Sequence, residues 1–266
     1  MAATLAMKIF KDQLNRTIQL PYSPQRIISV VPSQTELLHY LGLKKEVIGI
    51  TKFCVHPNNW FRSKTRVGGT KTLNLDKIRS LQPDLIIANK EENDQNQIET
   101  LTKEFPVWIS DINNVTDALD MIKQVGEITN TTPPAQQLIS EVSKGFASIQ
   151  PLTGIRTAYF IWRAPWMVAG QTTYINDLMQ RCGMVNVFAD QDSRYPEVSN
   201  EAIAAANPQL ILLSSEPYPF KDAHITELQA LCPKAQILLV DGEMFSWYGS
   251  RIIEAAGYLE GLVASV

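Results

Sequence analysis

The chain has 266 residues, of which 45% are apolar, and a formal net charge of −3. That length suits one large domain or two ordinary ones with real cores, and the small charge, with no basic block, argues against a nucleic-acid partner. Its cysteines, Cys54, Cys182 and Cys232, are an odd number without close spacing, which is no disulfide framework although it leaves room for one disulfide, and no CxxC pair points to zinc or thioredoxin-like chemistry.

The opening stretch, MAATLAMKIF, is a weakly apolar run too short for a secretory core, with no basic segment before it. No leader is therefore expected at this start, and the chain would be cytoplasmic if the start were native. No run reaches the roughly 18 apolar residues of a membrane span. RIISVV (26–31) reads as a buried strand. Ser33 and Glu36 in the following SQTE fit a capping box, and the helix, with Leu37, Leu38 and Leu41 on one face, should stop near Gly42. VIGIT (47–51), DLIIA (84–88) and VWIS (107–110) are further strands with helices between them. That alternation predicts a mainly parallel sheet covered by helices.

Residues 115–149 read as two helices interrupted by NTTPP. Thr132 can cap the second and Pro133 can sit at its first position. Leu138, Ile139, Val142 and Phe146 then recur at helical spacing. This helix is the candidate connector. Beyond it the alternation resumes, with strands TAYFIW (157–162), WMVAG (166–170), LILLS (210–214) and QILLV (236–240). Helices fit 172–182, 199–206, 223–231 and 250–262. The expected division is an N-terminal lobe (1–130), a linking helix (131–150) and a C-terminal lobe (151–266).

LDKIRSLQPDLIIANKE (75–91) and NEAIAAANPQLILLSSE (200–216) say nearly the same thing. Pro83 and Pro208 are 208 − 83 = 125 residues apart. At that offset Asp76 meets Glu201, Ile78 meets Ile203 and Leu85 meets Leu210. The period is too long for a solenoid and predicts two similar lobes. Asn74 and Ser199 read as helix N-caps. Asp76 and Glu201 then fall at the second helical position, where the helix dipole favours a carboxylate.

In open α/β sheets ligands lie beyond the carboxyl ends of the strands. The segments there are KFCVHPNNWF, NKEEN, RAPW, SEPYPF and DGEMFSWYGSR. They hold Trp60, Trp162, Trp166 and Trp247, which would suit a cleft for a large flat ligand. Cys54, His56, Glu91, Glu92, Glu216 and Glu243 lie on the same edge and are of metal-ligand type. The Cys54–His56 spacing lacks the regularity of a structural zinc site. Lys52, Lys71, Arg163 and Arg251 suit an anionic ligand or pairing with those acids. No GxGxxG or GK[ST] motif and no nucleophile–base–orienter set appear among His39, His56 and His224 and their neighbours, so the reading is not an enzyme.

The ordered motifs RIISVVPSQTELLHYLG, VGGTKTLNLDKIRSLQPDLIIA, TTYINDLMQRCGMVNVF, YPEVSNEAIAAANPQLILL and GSRIIEAAGYL resemble the class III substrate-binding proteins of ABC importers. That group includes cobalamin, ferric-siderophore and haem binders, and the resemblance is to the cobalamin-binding type. It implies two α/β lobes joined by a long rigid helix, with a ligand cleft between them and small lobe motion. It also implies a periplasmic or extracytoplasmic location and no covalent cofactor. The cargo would be a cobalt or iron chelate, and the partner of a monomeric binder would be a dimeric permease. The implied docking carboxylates are Asp76 and Glu201. Ligand stacking falls to Phe53, Trp60, Trp162, Trp166, Trp247 and Tyr248, and orientation to Lys71, Arg163, Glu216 and Arg251. His56, Asn89, Glu91 and Tyr218 complete the expected set. Thr70 and Asn89 stand where the cobalamin type would carry larger aromatic side chains. Two rival readings are a cytosolic metal-handling protein or enzyme on the same fold, with Cys54 and His56 as metal ligands beside cleft carboxylates, and a scaffold that binds only a partner protein.

Overall fold

The computed structural model describes residues 7–21 and 23–266; the first six residues of the opening apolar run lie outside the described residues. Two antiparallel strands, β1 (Met7–Lys11) and β2 (Thr17–Pro21), come first. Their turn is built around the buried Asp12 carboxylate, which accepts the N–H groups of Leu14 and Arg16 at 3.0 and 2.8 Å and the Arg16 guanidinium Nε at 2.8 Å. The run after it gives β3 (Ile27–Ser29), β4 (Val47–Ile50), β5 (Thr65–Arg66), β6 (Leu85–Asn89) and β7 (Val107–Ser110). They form one parallel sheet in the order β5-β4-β3-β6-β7. The hairpin is tied to the β7 edge through Gln13 N–H to the Ile109 carbonyl, 3.2 Å. Helices Pro32–Tyr40, Asn58–Ser63, Leu75–Leu81 and Gln95–Thr102 make the crossovers. Ile28, Ile78, Ile86, Ala88 and Leu101 are the centre of a core on one face of this sheet.

The expected capping box is corrected by the structure. The first helix starts at Pro32, with Val31 extended at the N-cap and no side-chain cap bond. Proline has its φ already set for the first helical position and needs no N–H there, so Ser33 falls inside the first turn. Glu36 turns instead to Arg251.

Helices Val115–Ile128 and Thr132–Ser148 follow. The second part of the chain holds β8 (Ile155–Trp162), β9 (Trp166–Val168), β10 (Met184–Asn186), β11 (Glu197–Val198), β12 (Leu210–Ser214) and β13 (Gln236–Val240). Their order is β11-β9-β8-β12-β13, with β10 beside the first residues of β8. β8, β10, β12 and β13 run parallel, whereas β9 and β11 are antiparallel. The antiparallel β9 departs from the simple parallel alternation. Only Arg163, Ala164 and Pro165 separate it from β8, and a parallel crossover needs about a dozen residues. Helices Tyr174–Arg181, Asn200–Ala206, Asp222–Leu231 and Ile252–Ser265 cover this sheet's chain segments. Its aromatic core contains Phe160, Trp166, Phe188 and Phe220 with Ile203 and Leu213.

Two compact units result. One takes the described chain up to Ile112 with Thr116–Glu141 and Tyr248–Arg251, and the other takes Asn113–Val115, Val142–Trp247 and Ile252–Val266. The division falls inside helix Thr132–Ser148.

The internal repeat is visible atom by atom. Asn74 accepts from Lys77 N–H at 2.9 Å, and Ser199 from Ala202 N–H at 3.2 Å, so both expected N-caps form. Each helix ends on a left-handed residue, Gln82 and Asn207, both at φ 45°. A buried proline and a wholly buried strand follow in each copy. A further correspondence lies outside the quoted repeat. Arg26 donates to the Leu81 and Gln82 carbonyls, and Arg156 donates to the Ala206 carbonyl at 2.5 Å. The side chains of Asp84 and Gln209 accept from the backbone N–H groups of those same arginines at 2.8 and 3.0 Å. Each arginine therefore ties the first strand of its larger sheet to the end of the repeat helix.

Candidate functional site

At the carboxyl edge of the first sheet, β4 runs into a tight turn. The Thr51 hydroxyl lies 3.1 Å from the Cys54 thiol and accepts from Phe53 N–H at 3.3 Å, while Thr35 Oγ1 donates to the same sulfur at 3.1 Å. This network pulls Cys54 into the core and throws Phe53 outward, 50% exposed. Lys52 Nζ lies 5.0 Å from the Phe53 ring centre, and Gly69 flanks the ring closely enough that a Cβ there would sit 3.1 Å from Phe53 Cε2. The next strand, β6, ends in Asn89. Its buried side chain accepts from the N–H groups of Glu91 and Glu92 at 2.8 and 2.9 Å and donates to Ser110 Oγ at 2.9 Å. The Lys71 ammonium donates to the Glu91 and Asn93 carbonyls at 2.5 and 3.1 Å.

In the second unit β8 ends in Trp162, which is 40% exposed. Tyr218, in the loop beyond β12, meets the indole edge-on at 5.6 Å. Tyr218 is itself packed edge-on against Phe220 at 4.9 Å and His224 at 5.4 Å, and its hydroxyl lies 3.1 Å from His224 Nε2. Glu216 holds the following loop: its Oε1 accepts from Ser246 Oγ at 2.6 Å and from the Trp247 indole N–H at 3.1 Å.

The Asp76 side chain is 94% exposed and pairs with Arg79 at 2.8 Å. Glu201 is exposed too, and its hydrogen bond with the Ser199 side chain holds its carboxyl below the usual range. Among the described residues no three His, Cys, Asp or Glu side chains converge as a metal site. No helix there is long and apolar enough to cross a membrane.

A family model described as "Periplasmic binding protein" matches residues 27–230. The chain belongs to the periplasmic binding protein family. It is 28% identical over 202 residues to a vitamin B12-binding protein of Vibrio cholerae, covering 73% of this chain and 72% of the relative. The solved periplasmic vitamin B12-binding protein of Vibrio cholerae superposes with a TM-score of 0.74 at 25% identity, covering 92% of this chain and 98% of that one. A petrobactin-binding protein of Bacillus subtilis shares the fold, with a TM-score of 0.81 at 15% identity over 97% and 99% of the two chains. The family resemblance and the two-lobed α/β fold read from the sequence are thus borne out. The chain is a substrate-binding protein rather than a metal-handling protein on the same fold.

Several residues expected at a periplasmic binding protein's ligand are engaged in contacts of their own. Trp60 is buried against the His39 ring, 5.1 Å away. Trp166 is buried with its ring stacked on Phe220 at 6.1 Å and its N–H bonded to Asn200 at 3.0 Å. Both indoles fill cores, so they are not exposed stacking surfaces. Asn89 closes its turn. Arg163 is paired with Glu227 and lies 4.3 Å over the Trp166 ring. Arg251 forms a two-pronged pair with Glu36 at 3.1 and 2.6 Å. Cys54 is buried, and the burial pushes its thiol above the ordinary value, which disfavours the thiolate that binds metal. Trp247 and Tyr248 are buried, His56 is half-buried and Glu91 is exposed. Sequence reasoning passed over His224 because it is an unremarkable helix residue in the pattern; only the fold sets it against Tyr218.

Proposed function

We propose that this chain captures a metal-containing chelate of the corrinoid, haem or ferric-siderophore class and presents it to a dimeric ABC permease. The observation that carries this reading is Trp162. A large indole at the carboxyl end of β8 keeps 40% of its surface exposed while Tyr218 and its neighbours hold the aromatic cluster in place. An aromatic surface exposed in that topological position is where an α/β sheet takes a flat apolar ligand. The names of its relatives, binders of vitamin B12 and petrobactin, support the ligand class. Phe53 offers a similar exposed ring in the first unit. In this reading the protein works outside the cytoplasm, carries out no catalysis, and docks through Asp76 and Glu201. Residues 131–150 join its two lobes.

A thermal-shift screen with cyanocobalamin, cobinamide, hemin and several ferric siderophores tests the reading. A ligand that binds only the folded chain raises the melting temperature with the logarithm of its excess over Kd. An upward shift with at least one intact chelate, weakened by Trp162→Ala, is the expected result. Flat melting curves with every chelate would remove the proposal.

A further inference from the structure

The loop after β12 and the start of helix Asp222–Leu231 contain a short chain of hydrogen bonds whose direction can be read. Lys221 N–H donates to His224 Nδ1 at 2.9 Å. The Lys221 carbonyl is farther from that nitrogen, at 3.2 Å, and already accepts His224 N–H at 2.8 Å. Nδ1 therefore carries its lone pair, and the neutral ring holds its proton on Nε2. Nε2 lies 3.1 Å from the Tyr218 hydroxyl, so the imidazole donates and the phenol oxygen accepts. The phenol proton is left over. Among the described residues the Tyr218 hydroxyl has no other hydrogen-bond partner.

The Tyr218 ring is held by Trp162, Phe220 and His224, at 5.6, 4.9 and 5.4 Å between ring centres. It cannot readily swing to find another acceptor. Its plane crosses that of the exposed Trp162 indole at 66°. A flat ligand stacked on the indole would therefore lie steeply inclined to the Tyr218 ring. The neighbouring cation, Arg163, is taken up by Glu227.

We propose that His224 is a positioning residue that turns the Tyr218 hydroxyl into a donor toward the ligand, and that the chelate taken here carries an oxygen acceptor, a carboxylate or amide carbonyl, on its rim. This rests on the chelate-binding reading above. It adds a specificity rule to it: between two flat chelates of similar size, the one with rim oxygens is preferred, because a preorganised donor facing an apolar rim would lose its water without a replacement bond.

The test is a double-mutant cycle on the full chain. Binding of hemin and cyanocobalamin, whose rims bear carboxylates and amides, is measured by tryptophan quenching for wild type, Tyr218→Phe, His224→Ala and the double variant. Iron(III) etioporphyrin, whose rim bears only alkyl groups, is the control ligand. Melting temperatures verify that each variant is folded. Each single change should weaken hemin or cyanocobalamin about three- to tenfold, and the double variant should be no weaker than Tyr218→Phe alone. His224→Gln, which keeps an N–H donor, should recover part of the loss, and etioporphyrin binding should be unchanged throughout. Independent, multiplying losses would overturn the positioning role. Equal losses for etioporphyrin would overturn the rim-oxygen rule, and an iron charge-transfer band lost in Tyr218→Phe would replace the donor by a metal ligand. Failure of every chelate to bind would remove the function reading and this inference together. Binding that is indifferent to both residues would remove the inference alone.

Discussion

Glu36→Gln is the most direct test of how the loop after β13 is held in the first unit. The Glu36 carboxylate meets the Arg251 guanidinium through two bonds, 3.1 and 2.6 Å, and the side chains are only 19% and 11% exposed. The charged guanidinium would stay behind in a poorly hydrated place with a neutral amide for a partner. Breaking a fully buried pair costs about 3–5 kcal/mol, and the residual exposure here lowers that to about 2–4 kcal/mol. For a chain of this size each kcal/mol moves the melting temperature by about 2–4 °C, so the expected drop is about 4–16 °C. Thermal unfolding followed by circular dichroism gives the number. The companion variant Glu36→Leu with Arg251→Met should be more stable than Glu36→Gln, because both charges leave the poorly hydrated site together. A drop below about 2 °C for Glu36→Gln, or a double variant that loses as much as the two single changes added, would refute the argument that this pair is a protected one.

Ile78→Ala and Ile203→Ala remove fully buried side chains at matched places in the repeat and should each cost about 2–5 kcal/mol in chemical denaturation; a loss in one copy only would show that the copies are not structurally equivalent. Burial pushes the Cys182 thiol from 9.0 up to about 12 and raises Cys54 and Cys232 in the same direction. Because the unfolded chain releases these protons first, stability should be level below pH 9 and fall above it, by up to about 1.4 kcal/mol per pH unit for each thiol. Cys182→Ala should reduce that slope in denaturation measured from pH 7 to 10. Trp162→Ala should weaken chelate binding about three- to tenfold in a fluorescence titration without lowering the melting temperature by more than about 2 °C, since the ring is already half in solvent. Asp76→Lys and Glu201→Lys should leave chelate affinity unchanged and abolish co-purification with the cognate permease, as exposed carboxylates that serve only for docking would.

What could be read from the amino-acid order was whatever depends on near neighbours in the chain. Asn74 and Ser199 cap their helices through bonds spanning three residues. Pro83 and Pro208 punctuate the same turn twice, and DLIIA and LILLS are uninterrupted because both their faces are covered. Hence the alternation, the duplication and the family were all legible. The Ser33 cap failed because two local signals competed and Pro32 took the first helical position.

The solvent access and pairing of individual strand-end residues were decided by tertiary structure. Trp60, Trp162 and Trp166 are equivalent in the sequence, each an indole near a strand end. Only Trp162 keeps an exposed face, because His39 and Phe220 arrive from elsewhere in the chain to cover the other two. Cys54 is held in the core by a contact with Thr35, which comes from the first helix on the other side of β4. Arg251 is neutralised by Glu36 from the far end of the chain. Local hydrogen bonds and periodicity therefore determine which elements form, whereas solvent access and charge pairing depend on which distant side chains the folded topology brings together.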